Sequence, residues 1–158
     1  MAKRDRTITF HSFAEVNILE WKVLLNDSIV NRHMPLASTL YTEASIAEWV
    51  IGKDRQWDEN GYGPWAILID GKFAGWGGFQ KEDYGPDLAL VLKPEFFGFG
   101  KQVFDALVES RHSLGIDAIY ILLPNSRRKL AAIRRLGFTH DGSVEYDGHI
   151  FQRYKLQE

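Results

Sequence analysis

The chain has 158 residues, of which 45% are hydrophobic and 25% charged, with a formal net charge of −2. That is enough for one α/β domain spanning residues 1–158 and too little for two comfortable ones. A balance this close to neutral gives no global attraction to nucleic acid or to an anionic membrane. With no cysteine in the sequence, disulfides, a thiol nucleophile and thiolate metal sites are excluded, and a reducing compartment is the natural fit. No run approaches the roughly 18 apolar residues that a membrane span needs. The basic start MAKRDRTITF leads into no apolar region, so no signal peptide is expected and the reading is a soluble, cytoplasmic protein.

In chain order, Thr7 to Phe10 alternates as a first strand. Ser12 and Glu15 make a capping box, so AEVNILEWKVLL reads as the first helix. Residues 27–40 are less regular. A second helix around IAEWVIGKD is capped by Thr42 or Ser45, the latter forming a capping box with Glu48. ENGYGP is a loop. WAILID and KFAGWGGFQ are strands joined by a tight turn at Asp70-Gly71. EDYGPD turns the chain into LALVLK, whose nearly continuous apolar run implies burial on both faces. A third helix starts near Gly98, with Val103, Phe104, Leu107 and Val108 as its apolar stripe, and ends at Gly115. AIYILL is another apolar strand. PNSRRKLAAIRRLGF reads as a helix stopped by Gly137, and a hairpin about Asp147-Gly148 closes the chain. The order is β-α-α-β-β-β-α-β-α-β-β: a mixed, mostly antiparallel twisted sheet of about seven strands with four helices on its two faces.

Two segments carry a family resemblance. LALVLKPEFFGFGKQVFDALVE resembles the acetyl-CoA motif of the GNAT superfamily of N-acetyltransferases. In that motif a strand ends in Pro, an Arg/Gln-x-x-Gly-x-Gly/Ala loop follows, and a helix begins. NSRRKLAAIRRLGF resembles the same superfamily's Asn-led helix that ends in Leu-Gly-Phe. The element order matches over nearly the whole chain. PDLALVLKPE further resembles an acidic-led strand of the ribosomal-protein N-terminal acetyltransferase branch. Two departures stand out. The strand and the helix are each in family register, but the loop between them is two residues short and lacks the usual Arg-Gly pair. Ile133 also stands where the family often has the Tyr that protonates the leaving thiolate.

The resemblance implies acetyl-CoA as co-substrate and no metal. Main-chain amides from Phe97, Gly98, Phe99, Gly100, Lys101 and Gln102, at a helix N-terminus, would then face the pyrophosphate. Phe96 and Phe97 should turn away into packing or against the pantetheine arm, and Glu95 should leave the helix start open. Arg127 or Arg128, with Lys101, would add positive charge. Asn125 or Ser126 would contact the cofactor or cap the following helix. A backbone N–H among Leu90, Val91 and Leu92 would polarise the thioester carbonyl. Among carboxylates, Asp87 is the first candidate base because it matches the acidic start of the family strand, followed by Glu82 and Asp83. Tyr120 is a candidate replacement acid. His33 and Trp76 are candidates for the acceptor side.

The function that follows is transfer of an acetyl group to a primary amine, by direct attack in a ternary complex. The acceptor is a small amine, a lysine or a protein N-terminus, and the chain a monomer or homodimer. The alternative is a non-catalytic binding module with the same fold and a degenerate loop. The five basic residues of RRKLAAIRR are either a solvated face or a contact for the 3′-phosphate of coenzyme A.

Overall fold

The computed structural model describes residues 6–32, 41–125 and 130–157. Seven strands form one sheet in the order β1-β2-β3-β4-β5-β7-β6. They are β1 (Ile8–His11), β2 (Pro64–Ile69), β3 (Lys72–Glu82), β4 (Gly85–Leu92), β5 (Ala118–Pro124), β6 (Thr139–Tyr146) and β7 (His149–Gln157). Five α-helices are present among the described residues, one more than the sequence predicts: α1 (Ile18–Leu25), α2 (Ser28–Arg32), α3 (Glu43–Asn60), α4 (Gly100–Leu114) and α5 (Ala131–Arg135). None is long and apolar enough to cross a membrane.

Hairpin chemistry fixes most of the sheet. Asp70 and Gly71 both have positive φ, as do Asp147 and Gly148, which is what a type I′ turn requires. The one parallel neighbour pair in the sheet is β4 with β5.

Several local expectations change. The Ser12–Glu15 capping box forms, but it opens a short 3-10 helix, Phe13–Glu15. Helix α1 starts later, where the Asn17 side chain accepts from the Leu19 N–H at 2.8 Å. Thr42, not Ser45, caps α3, and Ser45 is the third residue of that box. The third predicted helix does not begin at Gly98. Pro94–Phe99 winds as a 3-10 helix and α4 begins at Gly100. β4 is not buried on both faces: Leu88 and Leu92 are buried, while the residues between them are half-buried. The reason is the loss of its β5 neighbour over most of its length, described below.

Each face of the sheet carries its own core. On one face, Ile67, Ala74, Phe79, Leu88 and Leu92 pack with Val103, Leu107 and Val108 of α4 and Ile133 of α5. On the other, Ala66, Phe73 and Trp76 pack with Phe13, with Trp21 and Leu24 of α1, and with Ile46 of α3. Phe13 and Trp21 stack at 4.4 Å between ring centroids. Asp54 of α3 accepts from the N–H groups of Phe13 (2.7 Å) and Ala14 (3.0 Å), pinning the 3-10 helix to α3. Across the segment that is not described, Asn26 bonds both the N–H (2.8 Å) and the C=O (3.1 Å) of Tyr41.

Glycine is required in β3. Gly75 has φ +150°, and a Cβ there would lie 2.0 Å from the Val91 carbonyl oxygen. Gly98 has open space around it. Gly75→Ala is therefore expected to lose at least about 2 kcal/mol of stability and Gly98→Ala less than about 1 kcal/mol, measured by urea unfolding.

Candidate active site

The site is made by the way β4 and β5 part. They are bridged at one register pair, Asp87 with Tyr120, although β4 runs on to Leu92 and β5 to Pro124. On its other edge β4 pairs with β3 in an unshifted register from Glu82↔Gly85 to Gly75↔Leu92. Just beyond it, the Lys93 N–H donates to the Ala74 carbonyl at 2.8 Å. N–H groups alternate sides along an antiparallel ladder. Odd-numbered residues of β4 therefore bond toward β3, and Leu88, Leu90 and Leu92 direct their N–H groups toward β5. Leu88 flanks the bridge, so Leu90 is the first residue beyond it whose N–H faces the opening.

The opening is a cleft of about 680 Å³. Its walls include Ala89, Leu90 and Val91 of β4, Ile121 and Leu123 of β5, and Phe104 of α4. Its charged groups are Asp87, Lys101, Asp105 and Arg135, and Trp76 also contributes to the lining. Ile133 is part of the wall as well, so an alkyl group stands where the resemblance would place a tyrosine.

At the mouth, the turn expected to face the pyrophosphate has part of its N–H groups committed. A 3-10 helix spends its N–H groups on carbonyls three residues back. Phe96 N–H donates to Lys93 at 2.9 Å and Gly100 N–H to Phe97. That narrows the amides suited to an anion from the run 97–102 to the first turn of α4, at Lys101 and Gln102. Gly100 and Lys101 line the cleft, whereas Phe97, Gly98, Phe99 and Gln102 do not. A Cβ on Gly100 would meet nothing within 4 Å, so a ligand has room to approach the main chain. Glu95 does not plug the helix start; it pairs with Lys93 at 3.7 Å. Phe96 packs into the core as expected. Phe97 does not, and is 44% exposed.

At the apex, Asp87 is held by the Tyr84 hydroxyl, which donates to its Oδ1 at 2.9 Å. Burial pushes the Asp87 carboxyl up to about 7, against the opposing effect of that hydrogen bond, and the nearby Glu82 charge adds to the rise. Glu82 is itself raised, by desolvation and by Asp83, but it lies exposed on the β3–β4 hairpin. Burial, followed by the Asp87 charge, raises the Tyr84 phenol too. Tyr120 lies edge-on to Tyr84 at 5.2 Å. Arg153, paired with Asp141 at 3.0 Å, sits 4.7 Å over the Tyr84 ring.

Other sequence candidates fall elsewhere. Leu92 belongs to the core. The Asn125 side chain accepts from Gln152 at 2.9 Å, and its N–H donates to Ile150 at 3.1 Å, so it ties the end of β5 to β7. His33, Ser126, Arg127 and Arg128 lie outside the described residues. Sequence reasoning missed Tyr84, Asp105 and Lys53. Lys53 of α3 donates to the Gln80 side chain, and its Nζ stands 4.5 Å over the Trp76 ring and 5.5 Å over Trp49. Burial lowers its pKa to about 8, partly offset by Glu82. Nothing in the spacing of α3 marks a half-buried lysine; its contacts with Gln80, Trp76 and Trp49 reveal it.

No protein-family model and no curated protein matches the sequence. Solved structures do match. One is a GnaT-family acetyltransferase from Bordetella pertussis, 20% identical, with a TM-score of 0.74 over 98% of this chain and 97% of that one. The chain has the GNAT fold. A second match is RimL, a ribosomal L7/L12 α-N-protein acetyltransferase in complex with coenzyme A: 20% identical, TM-score 0.75, 96% of this chain and 94% of that one. A third is the microcin C7 self-immunity acetyltransferase MccE in complex with acetyl-CoA and AMP: 16% identical, TM-score 0.75, 99% and 94% covered. The mixed, mostly antiparallel seven-stranded sheet thus agrees with the fold expected from the sequence.

The raised Asp87 has a consequence for stability. Its folded-state pKa of about 7 lies above its ordinary value of 3.8, so the folded state holds the proton more tightly. Its contribution is most favourable below about pH 4 and is lost as pH rises through about 7. Asp87→Asn is expected to raise stability at pH 8 by on the order of 2 kcal/mol, with the gain vanishing near pH 4. Urea unfolding at the two pH values checks both.

Proposed function

We propose that this chain is an acetyl-CoA-dependent N-acetyltransferase that moves the acetyl group to a primary amine by direct attack, without an acyl-enzyme. The observation that carries the reading is the cleft between β4 and β5, which opens beyond Leu88 so that the Leu90 N–H faces it while Asp87 stands at its closed end. The complexes of RimL with coenzyme A and of MccE with acetyl-CoA support it by likeness of fold.

The residues divide the work. Lys101 and Arg135 line the cleft as its cations and, with the first turn of α4, suit the phosphates of coenzyme A. Bound acetyl-CoA supplies an activated carbonyl carbon and a thiolate leaving group. The Leu90 N–H is a preorganised donor for the oxygen that becomes negative during attack. Asp87, as carboxylate, takes the ammonium proton of the acceptor directly or through water, which the amine must lose before it can attack. A carboxylate near 7 is well matched to that task, strong enough as a base and ionised at working pH. Tyr84 positions Asp87 and tunes it. Tyr120, across the bridge from Asp87 though not among the cleft-lining residues, is the candidate acid for the departing thiolate. Glu95, whose intrusion would have favoured a non-catalytic module, is turned to Lys93.

Acetyl-CoA at millimolar concentration should raise the thermal midpoint where acetate does not; no shift would refute the proposal. With an amine acceptor, kcat/KM should rise with pH through about 7, following Asp87. Asp87→Asn should cut kcat by about 10²–10⁴-fold. Tyr84→Phe removes a hydrogen bond that favours the carboxylate, so the midpoint of the profile should move upward by about half a unit to one unit. A downward shift or a flat profile would remove Asp87 from the role of base.

A further inference from the structure

The helical face of the sheet beside Asp87 holds donors that a simple amine does not use. Along β3, side chains alternate, and Trp76, Gln80 and Glu82 fall on the face covered by α1 and α3, where Trp76 joins the aromatic core. On β4, Ala89 and Val91 pack on that same face, and Asp87 shares their parity. Gln80 lies directly opposite Asp87 in the ladder. Lys53 descends onto this surface from α3, giving one donor to Gln80 and lying over the Trp76 ring.

Two groups there have unspent capacity. An ammonium carries three donors, and one hydrogen bond is seen from Lys53. Trp76 is 5% exposed, lines the cleft, and its buried indole N–H has no partner among the described residues. A buried donor without an acceptor is costly, and a buried cation more so. Both are met together by one anionic or strongly accepting oxygen group. A bare alkylamine offers none. A carboxylate offers two oxygens, and its charge would add to the partial compensation that Lys53 now has from Glu82.

Resting on the acetyltransferase reading above, we propose that the acceptor is an α-amino acid or an equally compact zwitterion. Its amine lies against Asp87, and its carboxylate is received by the Lys53 ammonium and the Trp76 indole N–H. The two ends of such a molecule match the two ends of the surface: carboxylate of the protein to ammonium of the substrate, and the reverse across Gln80. Lys53 and Trp76 act as specificity-determining residues. Transfer balances in the ordinary way. The amine N–C bond forms and the thioester C–S bond breaks; of the two protons the ammonium sheds, one leaves through Asp87 before attack and the second goes to the departing thiolate, so coenzyme A leaves as the thiol.

The test compares each standard amino acid with its decarboxylated amine and its amide, reading thiol release from acetyl-CoA. At least one amino acid should exceed both analogues by about 30-fold or more in kcat/KM, as charge-assisted hydrogen bonds of this kind allow. Lys53→Met should raise KM for that amino acid by about 10-fold or more and alter KM for the matching amine far less. A second readout needs no turnover: the same amino acids titrated into the coenzyme A-loaded protein should change indole emission, because Trp49 and Trp76 flank Lys53. The proposal is overturned if amines or amides serve as well as amino acids. It is also overturned if the protein binds acetyl-CoA while no amino acid reacts or perturbs the emission, or if Lys53→Met lowers both acceptor classes equally. Failure to bind acetyl-CoA at all would instead overturn the acetyltransferase reading, and this proposal with it.

Discussion

One bridge between two parallel strands governs this molecule. β4 and β5 touch at Asp87 and Tyr120 and then separate, because each is bound firmly on its outer edge. β4 is paired with β3 over its whole length and β5 with β7 from Ala118 to Pro124. The sheet stays continuous, yet a stretch of strand edge is left facing a cleft. An unpaired strand edge in a protein interior is ordinarily a cost, since each backbone N–H seeks an acceptor. Here one such donor, the Leu90 N–H, faces a cleft, which suits the proposed stabilisation of a developing oxyanion.

The two helical layers serve that opening differently. The α4–α5 layer supplies the mouth, with a helix start, Lys101 and Arg135 on a base of Phe104 and Ile133. The α1–α3 layer supplies the opposite side, where the core of Phe13, Trp21 and Trp76 ends in a small polar group of Lys53, Gln80 and Asp87. The same burial that makes this layer stable displaces its ionisable groups toward neutrality, Asp87 upward and Lys53 downward. Asp87 can therefore exchange a proton near physiological pH, which suits the proposed removal of a proton from an amine without a strong base.

The sheet was legible in the sequence because its signals are local. Asp-Gly turns and alternating runs placed the hairpins, and glycine ends placed the helix stops. Capping boxes were legible too, but they do not state helix length: Ser12 and Glu15 cap one turn of 3-10 helix, since Val16 leaves it in extended conformation. The burial of LALVLK was overread because apolarity alone cannot separate a strand covered by protein from one lining a cleft. At the site, Asp87 was reached by resemblance and not by its neighbours. Tyr84 sits three residues away, where only the tight β3–β4 turn brings its hydroxyl to the carboxylate. Lys53 is 27 positions from Gln80 and carries no motif, so its burial was invisible until α3 was laid on the sheet.

The central claim is that the Leu90 N–H is unpaired in the free protein and is taken up by the acetyl carbonyl. Amide resonances of protein labelled with ¹⁵N-leucine test it directly. The account predicts that Leu90 exchanges with solvent faster than Leu88 in the free protein, and that acetyl-CoA shifts Leu90 downfield well beyond the effect of coenzyme A alone. Equal protection of the two amides in the free protein, or a Leu90 resonance that does not move when acetyl-CoA saturates the protein, would contradict it.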